Sequence, residues 1–156
     1  MLTGLLHLHN LMRWVLIILM LVNIVKAAGG MSGNKAFTTG DKRNALFMMI
    51  SADIQLLLGL ALYFMGPWGI KNIQNQGMGN VMKDATGRFF AIEHTMGMLI
   101  GIVLIHIGYA AVKKNIADNA KFKKVFWFTL IAAIVMIASV PWPFREGMGR
   151  PWFPGM

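Results

Sequence analysis

The chain contains no cysteine. That absence excludes disulfides, thiolate metal sites, iron–sulfur ligation and the covalent attachment of c-type haem. Acidic residues are scarce, six against fifteen basic ones, and charged residues of both signs make up only 13% of the 156 residues. A soluble domain of this length carries about twice that charged fraction. Also missing are a phosphate-cradling glycine loop, an H-E-x-x-H zinc motif and any nucleophile–base–orienter set, so hydrolytic chemistry has no support.

Long apolar runs take the place of charge. Leu5–Ala27, Ala45–Met65, Phe89–Val112 and Val125–Val140 each read as a membrane span, a crossing taking roughly 20 residues. The last run is the shortest and ends at Pro141-Trp142-Pro143. No basic residue precedes the first run, which is too long for a signal-peptide core and is therefore expected to stay as a span. The expected fold is all-α: one integral membrane four-helix bundle covering residues 1–156, with no internal repeat.

The net charge of +9 is distributed as a topology signal rather than a nucleic-acid site. The connection after the first span holds Lys26, Lys35, Lys42 and Arg43, and the one before the fourth holds Lys113, Lys114, Lys121, Lys123 and Lys124. The opposite side has Lys71, Lys83, Arg88, Arg145 and Arg150. The positive-inside rule then predicts cytoplasmic basic connections and both termini outside, with the basic loops meeting lipid headgroups.

Polar groups inside apolar runs are costly and are normally kept for a task or paired. His7, His9, Asn10 and Arg13 open the first span, and Glu93 and His94 open the third. At about 1.5 Å per residue they share a band roughly 5–12 Å into the outer leaflet. Tyr63, Ser139 and Trp142 are delivered toward the same side. Asp53 and His106 lie deeper, at matching depths, and read either as a buried polar pair or as a proton relay; Gln55 and Tyr109 are candidates to join them.

Haem b suits the outer group. Its iron takes two axial ligands, and imidazoles from facing helices of a bundle are a common choice. His94 offers one and His9 or His7 the other. His7 and His9 point about 200° apart on a helix, so at most one faces His94. Gly97, Gly101 and Gly108 fall within about 60° of the His94 direction. They read first as a close-packed helix contact, and otherwise as a groove for a flat macrocycle. Arg13 is expected to pair with Glu93; with haem bound, Arg13 or Arg145 would instead meet a propionate. His106 lies about 120° around the helix from His94, which argues against a second haem. The fourteen methionines read mainly as packing residues, and a copper site from Met148, Met156 and histidines is the weaker metal alternative.

The stretch His7-Leu8-His9-Asn10-Leu11-Met12-Arg13-Trp14 is joined by Ser51-Ala52-Asp53-Ile54-Gln55-Leu56-Leu57-Leu58-Gly59, Ala91-Ile92-Glu93-His94, Pro141-Trp142-Pro143-Phe144 and Arg150-Pro151-Trp152-Phe153. Together they resemble a family of small bacterial four-helix membrane proteins labelled cytochrome b-like, over nearly the whole chain. The resemblance implies haem b, electron transfer and a bacterial inner-membrane location. His7, His9, Arg13, Glu93 and His94 fall in the family's recurring segments. Asp53 stands where such proteins often carry histidine, and His106 lies outside the pattern. The leading expectation is a cytochrome-like subunit passing electrons between membrane quinol and a larger membrane complex. The alternatives are a cofactor-free accessory subunit packing against such a complex, and a proton-conducting bundle centred on Asp53.

Overall fold

The computed structural model describes residues 1–154. Its elements in chain order are α1 (Leu2–Ser32), α2 (Thr39–Met65), α3 (Ile70–Gln76), α4 (Met78–Lys83), α5 (Ala85–Arg88), a π-helical turn (Phe89–Glu93), α6 (His94–Val112) and α7 (Asp118–Ala138). No strand occurs among the described residues. Three helical stretches, Leu2–Ser32, Thr39–Gln76 and Ala85–Val112, are long and apolar enough to cross a membrane and point to a membrane protein. The fourth expected span differs. Lys121, Lys123 and Lys124 occupy the first turns of α7, and the apolar remainder falls short of the roughly 20 residues a crossing takes.

The four long helices close a ring: α1 packs on α2 and α7, and α6 packs on α7 and α2, the α2–α6 seam being the loosest of these contacts. Large apolar side chains such as Ile18, Leu57, Val103 and Ile134 point outward and stay exposed. Apolar helices with small inward residues fit a lipid surround, where close backbone approach replaces hydrophobic burial as the source of cohesion. An upper core cluster joins Leu16 and Met20 to Met48, Ala52, Ile105 and Ala132. A lower one joins Ala27, Ala45, Tyr109, Val112, Phe122 and Val125.

The α1–α2 connection is locked from its own sequence. Thr38 and Asp41 form a reciprocal capping box, with Asp41 N donating to Thr38 Oγ1 (3.3 Å) and Thr38 N donating to Asp41 Oδ2 (3.0 Å). Lys26 on α1 reaches Asp41 at 3.4 Å, and Asn23 Nδ2 donates to the Asn44 carbonyl at 3.2 Å. At the other end α3, α4 and α5 cap the bundle. The residues after α7 fold back over the N-terminal half of α1.

Candidate functional site

A cavity of about 490 Å³ lies between α1, α2 and α6 at the capped end. It runs from Leu2 and Tyr63 to a floor at Met20, Ile102 and Met136, about 27 Å along α1 at 1.5 Å per residue. Its wall is mostly apolar, with a few convergent polar groups: His9, Asn10 and Arg13 from α1, Gln55 from α2 and His94 from α6. That composition and size are those of a small-molecule or cofactor site.

His94 is aimed by the backbone that precedes it. The π-helical turn ends at Glu93 and hands over to α6 at His94. Such turns widen the helix locally and are frequent at functional sites. His94 Nδ1 then lies 2.7 Å from the Ser139 carbonyl, which only accepts, so Nδ1 carries a proton, and in the neutral ring Nε2 is bare. His9 meets it from α1. The two ring centres are 6.3 Å apart, with planes at 73°. His9 is held from α2, where Gln55 Nε2 lies 3.3 Å from His9 Nε2 and donates to the His9 carbonyl at 3.1 Å. Gly59 leaves room for this, since a Cβ there would come within 3.3 Å of His9 Cε1. Between the two candidates in the first span, the structure thus brings His9 to His94. His7 is exposed on the same cavity wall.

Two expectations are corrected. Arg13 does not meet Glu93. The π-helical turn carries Glu93 to the surface, where its Oε1 accepts from Arg88 Nε at 2.7 Å. Arg13 instead donates to the Pro151 and Trp152 carbonyls (3.3 and 2.9 Å), its guanidinium between the Trp14 and Trp142 rings. Gly97 and Gly101 do not form a cofactor groove either. A Cβ on Gly97 would overlap Ser139, one on Gly101 would overlap Met136, and Gly108 faces Phe128. The small-residue face is filled by α7, the close-packing alternative.

The segment after α7 was placed on the right side by the sequence but its reach was missed. Trp14 Nε1 donates to the Trp152 carbonyl at 2.8 Å and Asn10 Nδ2 to Pro151 at 3.2 Å. Trp14, Trp142, Trp152 and Phe153 pack together, with Trp14 stacked on Phe153 and the other ring pairs tilted. Arg150 covers Phe90 and lines the cavity; Arg145 lies over Phe89. Met156 lies outside the described residues.

Four buried polar atoms of the cavity wall have no protein partner: His9 Nδ1, Asn10 Oδ1, Arg13 Nε and Gln55 Oε1. Among the other buried side-chain atoms of the described residues only Asn72 Nδ2 shares that condition. Buried polar atoms are nearly always satisfied, so this concentration marks where a guest or water must complete the bonding. No set of three or more His, Asp or Glu side chains gathers as a metal cluster among the described residues. A metal in this cavity would therefore have the two imidazoles as its protein ligands.

The deeper residues come together as a separate pair. His106 Nε2 lies 3.2 Å from Asp53 Oδ1, but the two side chains are 43% and 42% exposed on the outer side of the α2–α6 seam rather than buried. Gln55, on the opposite side of α2, serves His9 instead, and Tyr109 packs in the lower cluster beneath Lys113. No protein-family model, curated protein or solved structure matches the chain.

Proposed function

We propose that the protein is a membrane-embedded b-type cytochrome or cytochrome-like subunit, its cofactor held between His9 and His94. The reading includes four spans with α7 as the fourth, both termini on the outer side, and a bacterial inner membrane. Its function would be electron transfer within a larger respiratory or photosynthetic membrane complex, with membrane quinol as electron source.

The facing of the two imidazoles across an apolar cavity carries this reading. Two imidazoles bound to one metal at about 2 Å have ring centres about 6 Å apart, against 6.3 Å here. A tetrahedral zinc or copper centre calls for three or four protein ligands, whereas haem supplies its own equatorial nitrogens and asks the protein for two. The donor set therefore fits haem. His94 would bind through Nε2, its Nδ1–H fixed on the Ser139 carbonyl in the way a ligating histidine is usually oriented. His9 would bind through one ring nitrogen while Gln55, which carries both a donor and an unpartnered acceptor, holds the other. Arg13, whose Nε has no protein partner, and Arg150 would supply positive charge for the propionates. When bound, haem supplies one-electron redox chemistry.

A cofactor-free accessory subunit is the second reading. It is favoured by the engagement of Arg13 with the chain's own carbonyls and of Gly97 and Gly101 with α7. A reduced-minus-oxidised absorption spectrum of detergent-purified protein, with a pyridine haemochrome assay, separates the two. A sharp b-type band at about one haem per chain is expected. A flat spectrum from cells making ample haem sinks the cytochrome and leaves the accessory subunit.

A further inference from the structure

Asp53 and His106 are not used by the cytochrome reading, and their bonding has a consequence of its own. They stand at the level of the upper core cluster, where their chain neighbours Ala52 and Ile105 are fully buried. The pair itself faces outward on the α2–α6 seam, among exposed Ile54, Leu57, Val103 and Ile107. Ionisable groups at this depth in an apolar surround are expensive and are as a rule functional.

His106 Nδ1 lies 2.9 Å from the Ile102 carbonyl oxygen. A carbonyl oxygen only accepts, so Nδ1 carries a proton. His106 Nε2 lies 3.2 Å from Asp53 Oδ1. A neutral imidazole already protonated on Nδ1 would turn the bare lone pair of Nε2 toward an ionised carboxylate, a repulsive contact. The contact is attractive only if one further proton sits in it. That proton is either on Nε2, which then donates to the Asp53 carboxylate, or on the Asp53 carboxyl, which then donates to Nε2. The two states contain the same atoms and the same zero net charge. Removing the proton leaves one net negative charge on an apolar face and turns the contact repulsive, so the pair should part.

No lysine or arginine stands ready to replace it. Among the described residues neither Asp53 nor His106 makes any other ion pair. At this level α1 and α7 contribute Leu16, Met20, Ala132, Ala133 and Met136, with the uncharged Thr129 hydroxyl on Met48 Sδ. On these grounds we propose that Asp53 and His106 form a proton-binding site in the middle of the membrane-spanning layer, open along the α2–α6 seam. The site holds one proton between two helices and does not depend on haem being bound.

Nitrogen NMR of the full chain, labelled with ¹⁵N-histidine and reconstituted in phosphatidylcholine bilayers, tests this directly. The His106 signals are assigned by their loss in His106→Gln. In the wild type Nδ1 is expected to be protonated, and Nε2 either protonated or hydrogen-bonded to a carboxylic acid read by its infrared carboxyl band. Asp53→Asn should remove both the band and the extra proton, leaving neutral His106 with its proton on Nδ1; Asp53→Glu should restore the pair. A wild-type His106 with Nδ1 bare and the proton on Nε2 overturns the site, as does one with Nδ1 protonated, Nε2 bare and no carboxylic acid band from Asp53. The wild-type spectrum decides the matter even where Asp53→Asn fails to fold.

Discussion

The two ends of the bundle use polar residues in opposite ways. At the lower end Lys26, Asp41, Thr38, Asn23 and Asn44 bond one another or nearby backbone, and the gap that Asn23, Lys26, Asp41 and Asn44 enclose with Phe37 and Phe122 has a volume of only about 10 Å³. That is room for one water at most. At the capped end a cavity of about 490 Å³ is left open, and four buried polar atoms in its wall go without a partner. The lower end spends its polar groups on holding α1 to α2. The capped end keeps hydrogen-bonding capacity in reserve, which is the difference between a joint and a binding site.

Substitutions should divide the ends along that line. His94→Ala is expected to abolish the haem band while the helix content, followed by circular dichroism, stays near wild type. His7→Ala should leave the band intact, since that ring is exposed. Retention of the band by the His94 variant would remove the cytochrome reading. Phe122→Ala empties the contact that Gly30 and Phe37 make with this ring. It should cost about 3–5 kcal/mol, the usual range for a large core truncation, seen as a lowered thermal midpoint in detergent with the haem stoichiometry unchanged. Gly101→Leu pushes a side chain into Met136 between α6 and α7. A loss of about 1–3 kcal/mol is expected from overpacking, again by thermal denaturation. Thr38→Ala removes the α2 cap for about 1 kcal/mol. It should leave the spectrum untouched, so a spectral change there would erase the distinction between the ends.

The helices and their polarity were readable because apolar runs longer than a bilayer leave little choice of structure. Matching depth along the spans brings His94 level with His7 and His9 without choosing between them, and Asp53 level with His106; the choice of His9 comes from the structure. Shared depth and adjacency to His94 point Glu93 toward Arg13, but depth does not fix the direction in which a side chain leaves its helix, and Glu93 ends a π-helical turn and meets Arg88 instead. No local residue pattern announces that turn. Gln55 shares a helix face with Ala52 and Gly59, spaced three and four residues away, which marks it as inward-facing. Its partner on α1 depends on helix rotation, which sequence spacing leaves undetermined. The bonds from Arg13 to Pro151 and Trp152 join residues 138 and 139 positions apart. Contacts of that span come from tertiary packing, and composition alone offers only the aromatic enrichment of the segment as a hint.

The π-helical turn also separates two angular registers. Upstream of it the short helices α3, α4 and α5 are set by their own contacts; downstream, His94 and the glycine face of α6 are set by α7. Because the wide turn absorbs the phase difference, insertions or deletions in the cap can be taken up without rotating the histidine that faces His9. Shortening the turn by one residue has the reverse effect. It would restore an uninterrupted α-helix and swing everything before it by about 100°, detaching Arg88 from Glu93 and moving Phe90 off Arg150.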